Sequence, residues 1–366
     1  MVLPLGMHMI VIADDITGAA EIAGIAFAQN GDVGLVCGCG TTTHATTVIA
    51  TDTRSLSAAE AVSETRRITS ALSHQPSAIY KKTDSALRGH VVEELTALME
   101  VTGYQRAVYL PANPSKGRII RNGIYYINNI PIHETDFSYD PEFPAKTSVL
   151  KERFPDAEAH HILMPDAESK EDIRKVIAEY NDGKTLFAGA ADLFQEVIGM
   201  GCGRLKESID KRPTPITKKT NSTLILCGST QSKPLDLGIP VALMPREVYD
   251  GEQGADDWFN QLPSNIKHQP SDLILAIPHT HRTGKEVAVH LRTVMAEITK
   301  RLVELHCPDH LIIEGGATAW ATLQELGWTQ FNIERQIAPG VVQMSATNGT
   351  LVTLKPGSYP WGGLFS

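Results

Sequence analysis

Carboxylates and cations gather in two short segments of the sequence. Residues 14–18 read DDITG and follow an apolar run, and residues 81–90 read KKTDSALRGH and follow another. A carboxylate in such a turn can accept the proton of a hydroxyl group or bind hydroxyls by hydrogen bonds. An arginine can hold a carboxylate or phosphate through paired hydrogen bonds, and a lysine offers a point charge to the same groups. Together the segments predict a site for a small acid that carries several hydroxyl groups.

Particular residues of these segments are candidates for the site. Asp14 and Asp15 are the candidate catalytic residues, although Asp15 or Thr17 is also expected to cap a helix. Lys82 and Arg88 are expected to hold the acid group of the ligand. The candidate substrate-binding residues are Lys82, Asp84, Ser85, Arg88, Gly89 and Arg118.

Arg118 lies in a proline-rich loop, 111–118, together with Lys116. Both cations could belong to the same site as the second charged segment. The alternative interpretation is that they are solvated loop cations that contribute little.

Three glycine-containing turns follow apolar runs in the second half of the chain, at 228–232, 315–318 and 357–358. Glycine lets backbone amides approach a phosphate, and a helix N-terminus favours an anion. Three such turns predict a nucleotide site, although the sequence contains neither a Walker A motif nor a GxGxxG motif after a strand. The candidate nucleotide-binding residues are Ser229, Gly315, Gly316, Ala317, Thr318 and Gly357.

The elements that must position these residues alternate between strand and helix patterns. The apolar run 9–13 predicts a central parallel strand, and a helix is expected from about 19 to 30, ending at Gly31. Further strands are expected at 32–36, 46–50, 77–80 and 106–110, with a hairpin around Asn128 and Asn129. This alternation predicts an α/β fold with largely parallel sheets flanked by helices. Ligands of such sheets bind at the carboxyl ends of the strands.

A change of composition near 210–222 predicts two domains. Prolines, cations and polar residues replace the apolar periodicity there. We expect a substrate-binding domain at 1–212, a linker at 213–222 and a nucleotide-binding domain at 223–366. The second domain restarts with a strand at 223–227 and includes a long helix at about 283–306.

Composition limits the classes of function. The chain has 366 residues and a formal net charge of −9, which argues against a general binder of nucleic acid or anionic membranes. Its five cysteines are an odd number without a CxxC pair, which favours reduced thiols and a cytoplasmic location. No apolar stretch is long enough to predict a membrane span.

The sequence resembles the four-carbon acid sugar kinases in its motifs and in their order along the chain. The motifs are those at 13–19, 82–89 and 111–118, followed by the turns at 228, 315–318 and 354–357. The resemblance spans nearly the whole chain. It implies an ATP-dependent kinase that converts threonate, erythronate or 3-oxo-tetronate to the 4-phosphate. It also implies that Mg²⁺ bridges the ATP phosphates, with no residue here assigned as a metal ligand, and that the reaction occurs in the cleft between the domains.

The sequence departs from the family pattern at two positions. Ala317 stands where the family has an acidic residue, and residues 359–361 interrupt the final glycine-rich loop. These departures leave open a sugar-acid sensor without ATP turnover. A separate alternative is an aldolase or isomerase for the same acids that acts without ATP. The stereochemistry of the acid and the oligomeric state also stay open, with a homodimer as one candidate assembly.

Overall fold

In the computed structural model of this protein, the described residues are 8–72, 77–140, 142–201, 222–229, 235–264, 266, 272–278, 284–357 and 364–365. The chain divides into two compact units, Met1–Leu205 and Lys206–Ser366. The predicted linker, 213–222, lies outside the described residues except for its last position, as do the interrupting residues 359–361.

Parallel strands form the main sheet of the first unit. The strands of this unit are β1 (His8–Ala13), β2 (Val33–Cys37), β3 (Thr46–Ala50), β4 (Ser77–Lys82), β5 (Arg106–Leu110), β6 (Arg118–Arg121), β7 (Ile124–Ile127), β8 (Ile130–Pro131), β9 (Ile162–Leu163) and β10 (Thr185–Gly189). The main sheet has the order β2-β3-β1-β4-β10-β5-β9, and its described pairs are parallel. Its centre is apolar because runs such as that in β1, at most 3% exposed from Met9 to Ala13, are covered on both faces.

Helices flank this sheet: α1 (Ile16–Asn30), α2 (Ala58–Leu72), α3 (Val91–Thr102), α4 (Leu150–Arg153), α5 (Lys170–Tyr180) and α6 (Ala191–Gly201). The first helix begins at Ile16, three residues before the expected start. The reason is that Asp15 caps it by accepting a hydrogen bond from the backbone nitrogen of Gly18. As predicted, it ends at Gly31, which is in the left-handed conformation at φ 69°.

The fourth strand is longer than predicted and includes both lysines of the second charged segment. It pairs with β1 up to Lys82, which lies opposite Ala13. Successive strand residues point to opposite faces of a sheet. Lys81 and Lys82 therefore point to opposite faces and cannot serve the same group.

A small antiparallel sheet, β6-β7-β8, stands apart from the main sheet. Its second turn confirms the predicted hairpin, with Asn128 and Asn129 at φ 50° and 63°. The first hairpin, β6-β7, was not predicted. Short 3₁₀ turns at Ile132–Glu134 and Asp136–Tyr139 follow the sheet.

The second unit has its own sheet, and its strands are β11 (Thr223–Cys227), β12 (Val241–Leu243), β13 (Leu273–Ala276), β14 (His310–Glu314), β15 (Gln330–Ala338), β16 (Val341–Ala346) and β17 (Leu351–Lys355). In the order β12-β13-β11-β14-β17-β16-β15, the strands are parallel as far as β17, and β16 and β15 are antiparallel. Its helices are α7 (Arg246–Tyr249), α8 (Ala255–Gln261), α9 (Lys285–His306) and α10 (Gly316–Glu325). The α/β class with largely parallel sheets is confirmed, and the antiparallel strands were not predicted.

Candidate active site

The carboxyl ends of β1 and β4 bring the two charged segments together. These strands are parallel neighbours, so the turns that follow them lie at the same edge of the sheet. A Cβ atom added to Gly89 would lie 3.2 Å from Oδ2 of Asp14. Because Gly89 also has a φ of +97°, this close approach of the backbone suits glycine.

An arginine that the sequence analysis missed, Arg54, holds both aspartates. Its Nε and Nη2 atoms donate to the two oxygens of Asp14 at 3.0 and 2.9 Å, and Nη2 lies 3.0 Å from Oδ1 of Asp15. It lies in a 3₁₀ turn, Thr53–Ser55, shortly after β3, which is the other parallel neighbour of β1. The sequence signal that could have identified Arg54 is its position as a cation shortly after the apolar run of β3.

The two aspartates differ in their proton affinity. Burial raises the pKa of Asp14 above its usual value, and the opposing charge of Arg54 does not cancel this effect. Burial also acts on Asp15, but Arg54, Lys82 and the hydroxyl of Thr17 together lower its pKa. Asp15 is further committed to the helix cap. Asp14 is therefore the better suited of the two to accept a proton from a hydroxyl group.

Asp84 and Arg88 form a bidentate pair within the second segment. Nε and Nη2 of Arg88 donate to the two carboxylate oxygens at 2.7 and 3.2 Å, and Nη1 lies 3.5 Å from Asp140. Burial alone would raise the pKa of Asp84, but Arg54 and Arg88 hold it well below its usual range. Asp84 therefore stays charged and links the two arginines electrostatically.

The lysines at the end of β4 have different surroundings. Lys81 forms an ion pair with Glu94 of α3, and both side chains are almost fully buried. Lys82, on the other face, donates to the carbonyl of Thr83 at 2.9 Å and lies 3.8 Å from Glu21 of α1. Lys81 is thus a structural residue of the unit, whereas Lys82 lies on the side of the sheet that carries Asp15.

Arg118 joins the site from the small antiparallel sheet. Its Nη1 donates to the hydroxyl of Ser85, and its guanidinium carbon lies 5.6 Å from the ring centre of Phe137. The same ring lies 5.8 Å from the guanidinium carbon of Arg88. Phe137 therefore lies against both arginines, a contact that no sequence pattern indicated.

Two buried polar groups near these turns lack a hydrogen-bond partner within the described part of the chain. They are Oγ1 of Thr83 and Nδ2 of Asn113, in residues that are 2% and 0% exposed. Both residues follow strand ends, those of β4 and β5. Because leaving a buried polar group unpaired is costly, these two atoms are candidates for hydrogen bonds with a ligand that reaches them.

The three glycine turns meet at the carboxyl edge of the second sheet. A Cβ on Gly228 would overlap the side chain of Thr318, and one on Gly357 would overlap Ser229. Gly315, at φ +95°, precedes α10 without a side-chain cap. Within the described residues no side chain caps the start of α10, an arrangement that favours an anion at its first backbone amides, and the adjoining Ala317 is exposed.

A second buried ion pair lies beneath these turns. Glu314 and Lys355 end the neighbouring strands β14 and β17, and their side chains meet at 2.6 Å while only 3% and 1% exposed. Lys355 also donates to the carbonyl of Gly357 at 3.2 Å. The pair thus fixes the position of the Gly357 turn, a role that the sequence analysis did not assign.

The predicted residues of each unit are therefore found together. In the first unit, one edge of the main sheet carries Asp14, Asp15, Lys82, Asp84, Ser85, Arg88, Gly89 and Arg118. In the second unit, the three turns contain Ser229, Gly315, Gly316, Ala317, Thr318 and Gly357. Their individual roles stay predictions.

The described residues contain neither a cluster of metal ligands nor a membrane-spanning helix. Throughout the ranges that the structure describes, no three His, Cys, Asp or Glu side chains are arranged to hold a metal ion. In the same ranges, every helix is too short or too polar to cross a membrane.

Known proteins share this organisation. Residues 9–155 match a family described as a sugar-binding N-terminal domain, and residues 236–359 match one described as a nucleotide-binding C-terminal domain. The chain is 35% identical to the D-threonate kinase of Salmonella typhimurium over a region that covers 40% of this chain and only 36% of that enzyme. It is 25% identical to the 3-oxo-tetronate kinase of Haemophilus influenzae, over 95% of this chain and 96% of that enzyme.

A solved structure shows the same fold. It comes from a Salmonella typhimurium protein that carries the name of a tRNA synthase, and it superposes with a TM-score of 0.76 at 18% identity, covering 98% of both chains. At that identity the likeness concerns the fold alone.

Proposed function

This chain belongs to the tetronate kinase family, and we propose that it is an ATP-dependent kinase that phosphorylates the terminal hydroxyl of a four-carbon sugar acid. The sugar-binding match contains Asp14, Arg54 and Arg88, and the nucleotide-binding match contains the turns at 315–318 and 357. The substrate class comes from the relatives, which are named for threonate and 3-oxo-tetronate.

One observation carries the proposal: Asp14, a buried carboxylate held by Arg54, borders the turn that carries Arg88. Asp14 is 2% exposed and lies beside the backbone of Gly89, where an added Cβ atom would lie 3.2 Å from Oδ2 of Asp14. In our proposal Asp14 orients the C4 hydroxyl and accepts its proton, while Arg54 keeps the carboxylate in place. The unpaired groups of Thr83 and Asn113 bind other hydroxyls of the acid.

The nucleotide enters as its magnesium complex in this proposal. Mg²⁺ is commonly held by substrate phosphates and few protein carboxylates, so it would arrive on the ATP. In this proposal the amides that follow Gly315 and the turns at Gly228 and Gly357 contact the phosphate oxygens, supported by the uncapped start of α10 and the close approach of the three turns. Phosphoryl transfer depends mainly on positioning and charge neutralisation, and both are supplied by such contacts. We also infer a cytoplasmic location, where ATP is plentiful.

The decisive test is ADP release by the purified chain with MgATP and D- or L-threonate, D- or L-erythronate, or a 3-oxo-tetronate. At least one acid should raise ADP release well above the acid-free background and yield a product whose phosphate is on C4, as shown by ³¹P-coupled NMR. If calorimetry shows acid binding but no MgATP binding, the sensor alternative holds. Consumption of the acid without ATP would instead identify an aldolase or isomerase.

A further inference from the structure

Most cations at the carboxyl edge of the first sheet already face a carboxylate. The closest pairs are Arg54–Asp14, Arg88–Asp84, Lys81–Glu94 and Lys116–Glu21. The two arginines contact both oxygens of their partners, and Arg88 has Asp140 as an additional partner. A substrate carboxylate that approached either guanidinium would have to share it with an internal carboxylate.

Arg118 differs from these cations because it has no carboxylate partner among the described residues. Arg153 also lacks one there, but its guanidinium donates to the carbonyls of Pro144, Leu87 and Phe143. The guanidinium of Arg118 contacts the hydroxyl of Ser85 and the ring of Phe137, and no described Asp or Glu oxygen lies within ion-pair distance of it. The side chain is partly buried, so its charge is only partly solvated. A partly desolvated guanidinium without a counter-charge favours the binding of an anion.

Arg118 is also held in place before any ligand binds. Its backbone exchanges two hydrogen bonds with Asn113, at 2.8 and 3.2 Å. Its hydroxyl partner, Ser85, is fixed in turn because the carbonyl of Ser85 accepts a hydrogen bond from Tyr125 at 2.6 Å. Ordering a long side chain in advance lowers the entropic cost of binding.

The position of Arg118 suits the acid end of a short substrate. Its partner Ser85 belongs to the same turn as Gly89, which borders Asp14. The ring of Phe137 lies against both Arg118 and Arg88, so the two guanidinium groups share one wall of the site. The turn therefore connects Ser85, the partner of Arg118, with the backbone beside Asp14.

We propose that Arg118, rather than Arg88, receives the carboxylate of the substrate, and that Arg88 is a positioning residue that holds Asp84. The inference rests on the proposed function, because it names the group by which that site recognises an acid. The inference changes the expected specificity: the preference for the acid over a neutral analogue with the same hydroxyls should depend on Arg118 and not on Arg88.

The test compares the tetronate of the panel with the highest kcat/KM with its uncharged amide. The wild-type protein should prefer the acid by about 10- to 100-fold, as expected for hydrogen bonds to a charged group. R118Q should reduce this preference to less than about 3-fold, and R118K should restore part of it. R88Q should lower kcat but keep the preference. R121Q is the matched control, since Arg121 lies on the same strand, exposed and paired with Glu168, and it should change neither quantity.

The outcomes separate this inference from the proposed function. If R118Q keeps the acid preference while R88Q loses it, Arg118 is not the carboxylate receptor, although the kinase assignment stands. If no acid releases ADP, the kinase assignment fails, and calorimetric titration with the same acids decides the role of Arg118. Binding by the wild type that R118Q loses and R118K partly regains supports the inference. Acid binding that is equal in wild type and R118Q, or absent from both, overturns it.

Discussion

Replacing Glu94 by Gln should severely destabilise the first unit. Glu94 is the counter-charge of Lys81, and their side chains are 2% and 1% exposed. It also accepts hydrogen bonds from the hydroxyls of Thr53 and Thr65, at 3.0 and 3.4 Å. The substitution keeps the size of the side chain but leaves the ammonium group of Lys81 buried without a counter-charge.

Breaking a buried ion pair from one side costs about 3–5 kcal/mol. In a domain of this size, about 1 kcal/mol corresponds to about 2–4 °C in Tm, so E94Q should lower the Tm by about 6–20 °C. E100Q is the control, because Glu100 lies on the same helix and pairs with Arg66 at 2.6 Å, with side chains 53% and 51% exposed. An exposed pair contributes only about 0–1 kcal/mol, so E100Q should lower the Tm by no more than about 4 °C.

A second variant tests whether the isolated charge is the cause. K81M together with E94Q removes the buried ammonium group, so the double variant should be more stable than E94Q alone. Scanning calorimetry of the full chain, with denaturant unfolding followed by circular dichroism, measures these differences. The reasoning is refuted if E94Q and E100Q have equal Tm values, or if K81M further destabilises E94Q.

Three more predictions concern proton transfer, the glycine turns and pH. Asp14→Asn should lower kcat by about 100- to 10,000-fold. Because burial raises the pKa of Asp14, the kcat/KM of the wild type should fall with decreasing pH at a higher pH than titration of an ordinary carboxyl group would cause. A fall at the pH of an ordinary carboxyl group would contradict this. Gly228→Ala places a Cβ atom against Thr318, so it should lower the free energy of unfolding by about 1–3 kcal/mol and weaken MgATP binding. Gly254→Ala is the control, because its Cβ atom meets no atom within 4 Å. Equal effects of the two substitutions on MgATP binding would count against a packed nucleotide site. Burial, and then Arg335, lowers the pKa of His310 from 6.5 to about 4. Neutral His310 therefore contributes at most about 3 kcal/mol to the free energy of unfolding, a contribution that is present above pH 6.5 and lost as the pH falls toward 4. H310N should make the free energy of urea unfolding less dependent on pH in that range, and an unchanged pH dependence would exclude His310 as the cause.

The fold class and the central strands could be predicted because they depend on local signals. Apolar runs such as 9–13 and 223–227 have few alternatives to a covered parallel strand. The antiparallel strands β15 and β16 lacked such a signal. Strand β15 alternates buried and exposed residues and contains charged side chains, so its burial is decided by its partner in the sheet.

The candidate site was predictable only where its residues are close in sequence. Asp14 and Asp15 adjoin one another, and Asp84 and Arg88 are four residues apart. Arg54 lies 40 residues from Asp14, and its role becomes visible only when β3 is placed beside β1. The distinction between Arg88 and Arg118 also required the structure, because residue type alone does not show which guanidinium already has a counter-charge.

The small antiparallel sheet has a consequence for engineering. With Arg118 as the carboxylate receptor, the groups that select the acid lie on β6 and the turn that carries Phe137. The groups that act on the hydroxyl lie after β1 and β3 of the main sheet. A library of variants confined to strand β6 should therefore alter which acids are accepted while leaving the groups that act on the hydroxyl unchanged. Selectivity and reactivity are then separately adjustable properties of one unit.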